Sequence, residues 1–159
     1  MLHRICEFNR SVNKRLDYFI AEFKRFFIKT KVNKEEFKTK CSVSLPEFPI
    51  LTRWGTWINC ACYIFKNYAE ILKFLKNETE NFIYLSKMLK EVKVIEQLKI
   101  FKNFEYLIDS IKSLERNTSK TEDQIQILKV AKSIKNEKYD WLVEKVDTVI
   151  QKIQISIFS

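Results

Sequence analysis

Glycine occurs once in 159 residues and proline twice, so the tight turns on which sheet proteins depend are largely missing. A single glycine also excludes a Walker loop and a dinucleotide-binding fingerprint, both of which bring glycine backbone close to phosphate. The one histidine, His3, is too little for a zinc set and badly placed for Ser–His–Asp or Cys–His catalysis. The four cysteines are Cys6, Cys41, Cys60 and Cys62; none form a C-x-x-C, so reduced thiols are expected. No apolar run approaches the roughly 18 residues of a membrane span. The opening MLHRICEFNR carries charge where a signal peptide would be apolar, so an intracellular protein is expected. The sequons at Asn77 and Asn117 are then chance matches.

What the chain does have is packing material. Hydrophobic residues make up 46% of it and 13 residues are phenylalanine, which argues for a real core. Together with the scarcity of turn residues this gives the expected fold: all-α, a single-domain antiparallel bundle of about five to seven helices spanning 1–159. Leu16, Phe19, Ile20, Phe23, Phe26 and Phe27 recur at three and four, one buried face of a helix running from about Arg4 to Lys29. Ser11–Asn13 is expected to kink or divide that helix, because those side chains compete for backbone hydrogen bonds. A polar link near Thr30–Asn33 leads to a short basic turn of helix, Lys34–Lys40.

Pro46 and Pro49 fix an extended connector over 45–52, with Thr52 as the cap of the next helix. From 53 to 76 apolar residues fall on every side, including Trp57, Ile58, Cys60, Ala61 and Ile64, which marks the central helix. Asn77–Thr79 reads as a break. Beyond it a stripe from Phe82 to Leu114 is long enough to require an interruption near Glu91–Lys93. A polar turn at 117–120, a capping box at Thr121–Gln124 and a final helix from about Lys138 complete the C-terminal part, 77–159.

Charge is uneven. Up to Arg53 there are 12 basic against 6 acidic residues; the remaining two thirds of the chain hold 17 and 14. A basic N-terminal part, 1–44, suits phosphates, and Lys24, Arg25 and Lys29 are its candidate nucleic-acid contacts. The plain alternative is a solvated, lysine-rich surface. Acidic residues are spread along helix faces beside lysines, as Glu96 with Lys99 and Glu144 with Lys145, and do not suggest a metal pair. No catalytic residue, metal, cofactor or small-molecule substrate is expected.

One cluster stands out, Thr52-Arg53-Trp54-Gly55-Thr56-Trp57 at a helix start. Free amides, Arg53 and a hydroxyl suit a phosphate, and the indole of Trp54 suits an unpaired base. The alternative is that both tryptophans are core and Arg53 extends outward. LTRWGTW, preceded by LPEFP and followed by an apolar helix, resembles a segment of hAT-superfamily transposases. The opening LHRICE and the stretch TEDQIQILKVAK resemble elements of insect hAT-like proteins, in the same order. The resemblance implies the all-α insertion domain of such an enzyme, in which the Arg-Trp motif lies near the start of the insertion. The family's tryptophan handles flipped or hairpin DNA, a role that maps onto Trp54, with Arg53 as the phosphate contact. The family's Asp, Asp, Glu metal set, its C-x-x-H element and its zinc-finger module have no counterpart here. The expectation is therefore a non-catalytic, transposon-derived nuclear protein with weak DNA affinity. The alternative is a protein-protein interaction module, with a protein partner or self-association, or an inactive relic.

Overall fold

The computed structural model describes residues 2–50, 55–76 and 80–103. Among them lie seven α-helices and no strand: α1 (Leu2–Val12), α2 (Lys14–Lys29), α3 (Lys31–Lys40), α4 (Gly55–Lys66), α5 (Tyr68–Phe74), α6 (Glu80–Leu89) and α7 (Val92–Ile100). A 3-10 turn, Phe101–Asn103, follows α7. The all-α expectation is met. Contacts group the chain into two compact units, Met1–Lys102 and Asn103–Ser159, and all seven helices belong to the first. The cap expected at Thr52, the break expected at 77–79 and every element expected after 103 lie outside the described residues.

The hub of the bundle is α2. It packs against α1, α3, α4, α6 and α7. All six residues of its apolar stripe are buried, so the i, i+3, i+4 pattern read from the sequence is its inner face. Phe27 is fully buried and meets the rings of Phe23, Phe26, Phe37 and Phe74 at centroid distances of 5.0–6.1 Å, with Phe48 of the connector at 5.8 Å. Phe26 stands edge-on to Phe82 of α6 at 4.8 Å. Rings crossing at steep angles set positive edges against negative faces, which adds about 0.5–1.5 kcal/mol per pair to the area buried. Pairings between α2 and the α6 region fall in reversed order, with Phe26 on Phe82, Tyr18 on Tyr84 and Arg15 on Glu91. The two run antiparallel.

Helix α4 is buried on nearly every side, as its composition requires: eight of its 12 residues are inaccessible. The expected single helix over 53–76 is nonetheless interrupted, and the reason is one residue. Asn67 turns its side-chain Nδ2 back to the carbonyl of Tyr63 (2.9 Å), which already accepts the Asn67 backbone N–H (3.0 Å). The same device divides α1 from α2. Asn13 Nδ2 donates to the Asn9 carbonyl at 2.8 Å alongside its own backbone N–H at 3.0 Å. The two asparagines have nearly matching backbone angles, φ −106°, ψ 45° and φ −104°, ψ 22°. An amide that competes for the i−4 carbonyl pulls its residue out of helical geometry while the chain direction largely continues. The division at Asn13 was anticipated in the Ser11–Asn13 stretch, but the one at Asn67 is masked by apolar neighbours.

Two other boundaries are sharper than the sequence suggests. The link between α2 and α3 is a single extended residue, Thr30 (φ −140°, ψ 117°), so α3 begins three residues before the expected Lys34. Asn33 makes this possible by donating Nδ2 to the Phe26 carbonyl (2.9 Å), one of the acceptors that the end of α2 leaves free. The interruption expected near Glu91–Lys93 falls at Lys90–Glu91, between α6 and α7.

The N-terminal end of α2 is fixed by polar groups. Its Leu16 N–H, one of the first-turn amides with no helical acceptor, donates to Gln97 Oε1 of α7 at 2.8 Å. Arg15 makes a two-pronged ion pair with Glu91. Asp17 accepts from Trp57 Nε1 of α4 (2.7 Å) and from Arg10 Nε of α1 (3.0 Å), joining three helices through one carboxylate. Trp57 is buried edge-on against Phe101, 5.5 Å between centroids.

Candidate nucleic-acid interface

Five residues were singled out from the sequence, and their surroundings differ. Arg53 and Trp54 lie outside the described residues. The described residues on either side of them are joined. The Ile50 N–H donates to the buried Thr56 hydroxyl at 2.9 Å, so the connector closes onto the first turn of α4. Phe48 packs on Phe23 and Phe27, and Lys24 Nζ donates to the Pro49 carbonyl at 2.6 Å. Lys24 is thus half-buried and fastens the connector to α2.

Arg25 and Lys29 are four apart, so they share one side of α2, roughly 100° away from Lys24. Both line an open cleft of about 90 Å³ between the C-terminal half of α2 and the first turns of α6. Phe26 lies at its base, with Asn33, Asn81 and Tyr84 around it. The helical spacing therefore brings two of the three basic candidates together and sends the third elsewhere. Glu22 also lines the cleft and pairs with Arg25 through one guanidinium nitrogen. With five N–H donors on the guanidinium, others stay available to a ligand.

The distribution of ion pairs decides which cations are available. Arg10 pairs with Asp17, Arg15 with Glu91, Arg25 with Glu22, Lys38 with Glu35 and Lys40 with Glu36. Among the described residues of the N-terminal third Lys14, Lys24, Lys29, Lys31 and Lys34 have no such partner, and the last three cluster in sequence around the one-residue link at Thr30. Three of the five cations without an ion pair among the described residues of the N-terminal third therefore adjoin the α2–α3 junction. Compared with models of known protein families, with curated proteins and with solved structures, the chain has no match.

Two aromatic groups on the same side of α2 as Arg25 and Lys29 were missed by the sequence reading. Tyr18 and Tyr84 stand 45% and 46% exposed with their hydroxyls 3.3 Å apart. The Arg15 guanidinium lies over the Tyr18 ring, 5.7 Å from its centroid. The hydrogen bond to Tyr18, then burial, raise the Tyr84 phenol above its ordinary range, so it stays neutral at physiological pH. Their signal was available. Tyr18 lies seven residues before Arg25 and eleven before Lys29, the same helical side, and Tyr84 falls between the buried positions Phe82 and Leu85 of α6.

Nothing else among the described residues offers chemistry. Among the described residues no three His, Cys, Asp or Glu side chains converge as a metal set would. The described cysteines, Cys41, Cys60 and Cys62, are free thiols. Burial pushes Cys60 up to about 12, which leaves it protonated and inert. Burial likewise raises Tyr63 to about 12, and its hydroxyl donates to the Ser44 carbonyl. No described helix is long and apolar enough to cross a membrane.

Proposed function

We propose that this chain is a non-catalytic, transposon-derived helical domain that holds nucleic acid weakly and without sequence preference, in the nucleus. The observation that carries the binding is the cluster Lys29, Lys31 and Lys34, without acidic partners while Arg25, Lys38 and Lys40 on either side are matched with acids. Unpaired lysines on an exposed junction bind phosphate by releasing condensed counterions, a mode that is non-specific and falls steeply with salt. The origin rests on the resemblance of LPEFP, LTRWGTW, LHRICE and TEDQIQILKVAK to hAT-superfamily segments. By that resemblance Arg53 and Trp54 add a phosphate contact and a stacking surface.

Fluorescence anisotropy with a labelled duplex, a hairpin and an unpaired oligonucleotide, repeated over a salt series, tests this. Dissociation constants of about 10⁻⁴–10⁻⁶ M near physiological salt are expected. Replacing Lys29, Lys31 and Lys34 with Gln should shallow the salt dependence by up to about three phosphate contacts. No binding at low salt would leave a second reading, favoured by Ile28 and Val32. These lie at the same junction with 61% and 67% of their surface exposed, as an apolar contact of a protein-interaction module or an inactive relic would.

A further inference from the structure

We infer that the cleft between α2 and α6 seats one nucleotide of an unpaired strand, its phosphate on Arg25 and Lys29 and its base against the ring of Tyr84. The inference rests on the nucleic-acid reading above and specifies its ligand and its place. Four observations carry it. Arg25 and Lys29 line one side of the cleft, and Tyr84 and Asn81 line the other. The room is about 90 Å³, too little to enclose a nucleotide, so the base must lie on the rim, where Tyr84 is. That ring is 46% exposed and has no ring or cation partner among the described residues, unlike Tyr18, whose ring already carries Arg15. The Tyr84 hydroxyl is held by Tyr18, so the ring is oriented before any ligand arrives.

The chemistry favours an unpaired strand over a duplex. In a duplex the faces of a base are covered by its neighbours, whereas an unpaired base offers its face to an aromatic ring, and stacking needs no particular base. Arg25 brings a planar fork that suits two phosphate oxygens, and Lys29 a mobile point charge. Glu22 opposes them from within the cleft and holds one guanidinium nitrogen. Its charge limits affinity for a free phosphate, so the stacked base supplies a large share of the binding. Asn81 and Asn33 offer amides to the same space.

The test uses the full chain with an oligothymidylate, a blunt duplex of the same length and free thymidine monophosphate. Tyr84→Ala should weaken oligothymidylate binding roughly 5- to 150-fold, the worth of one stacked base, and leave duplex binding within about twofold. Tyr84→Phe keeps the ring and should retain most of the affinity. Arg25→Gln with Lys29→Gln should weaken both probes and shallow the salt dependence. Circular dichroism and thermal melting confirm that each variant folds. Unchanged oligothymidylate binding by Tyr84→Ala would overturn the nucleotide seat while leaving the non-specific reading intact. An equal loss in Tyr84→Phe would also overturn it, since the hydroxyl and not the ring would then matter. Equal affinity for the free monophosphate would rule out a strand as the ligand. No binding of any probe would remove both readings.

Discussion

The two halves of α2 are held in different ways. Its N-terminal half is fixed by hydrogen bonds and ion pairs to three other helices, through Arg15, the Leu16 amide and Asp17. Its C-terminal half is fixed by rings, Phe23, Phe26 and Phe27 against Phe37, Phe48, Phe74 and Phe82. The contrast bears on function because it divides the charges. Arg15 of the first half is engaged in holding the bundle, whereas the second half coheres mainly through rings, with Lys24 fastening the connector, and leaves Lys29 free for an outside anion. A charge count alone treats Arg15 and Lys29 alike, but the contacts separate them.

The ring-held half should be the most sensitive to truncation. Phe27→Ala removes a fully buried ring that meets five others and is expected to cost about 3–5 kcal/mol, read as a lower midpoint in urea. A loss below about 1 kcal/mol would mean that the cluster collapses to fill the space and does not determine the fold of this half.

The polar half should respond next. Trp57→Phe keeps most of the apolar volume but removes the N–H that Asp17 accepts. It should cost about 1–3 kcal/mol for a partly buried hydrogen bond to a charged acceptor. Combining it with Arg10→Gln in a double-mutant cycle measures whether the shared carboxylate couples α1 to α4. Strict additivity would show that the two contacts act independently.

A smaller, pH-dependent effect is expected at Glu91. The Arg15 hydrogen bond holds its carboxyl below the ordinary range. A carboxylate with a depressed pKa in the folded state stabilises above its unfolded pKa, and that contribution fades as pH falls through the folded value. The advantage of wild type over Glu91→Gln should therefore be present at neutral pH, shrink in acid and shrink with added salt, since the pair is exposed. An advantage independent of pH would assign the effect to packing.

Much of this architecture was legible in the sequence because it arises from local rules. The apolar stripe of α2 was read residue for residue, since spacing of three and four needs no knowledge of partners. The absence of helix over the described connector residues 45–50 followed from Pro46 and Pro49, and the buried α4 from apolar residues on all sides. The two asparagine devices were only half legible: Asn13 lies two residues after Ser11 in a polar stretch, whereas Asn67 sits in a mostly apolar segment and shows its effect only through the Tyr63 carbonyl. The pairs that align the helices were not legible. Arg15 with Glu91 and Leu16 with Gln97 join residues 76 and 81 positions apart, and nothing in either segment names the other. The same holds at the candidate site. Arg25 and Lys29 were found by charge, but Tyr84 gains its meaning only once α6 lies beside α2.

The division of the cations of α1 to α3 into an engaged and a free set is tested most directly by one paired measurement. Oligonucleotide binding is titrated across a salt series for two variants, Lys29, Lys31 and Lys34 to Gln, and Arg10 and Arg15 to Gln. The first should weaken binding and shallow the salt dependence by up to about three contacts, with stability changed by no more than about 0.5 kcal/mol. The second should leave the salt dependence nearly unchanged and lower the melting temperature. Loss of binding in the arginine variant with normal binding in the lysine variant would contradict the division.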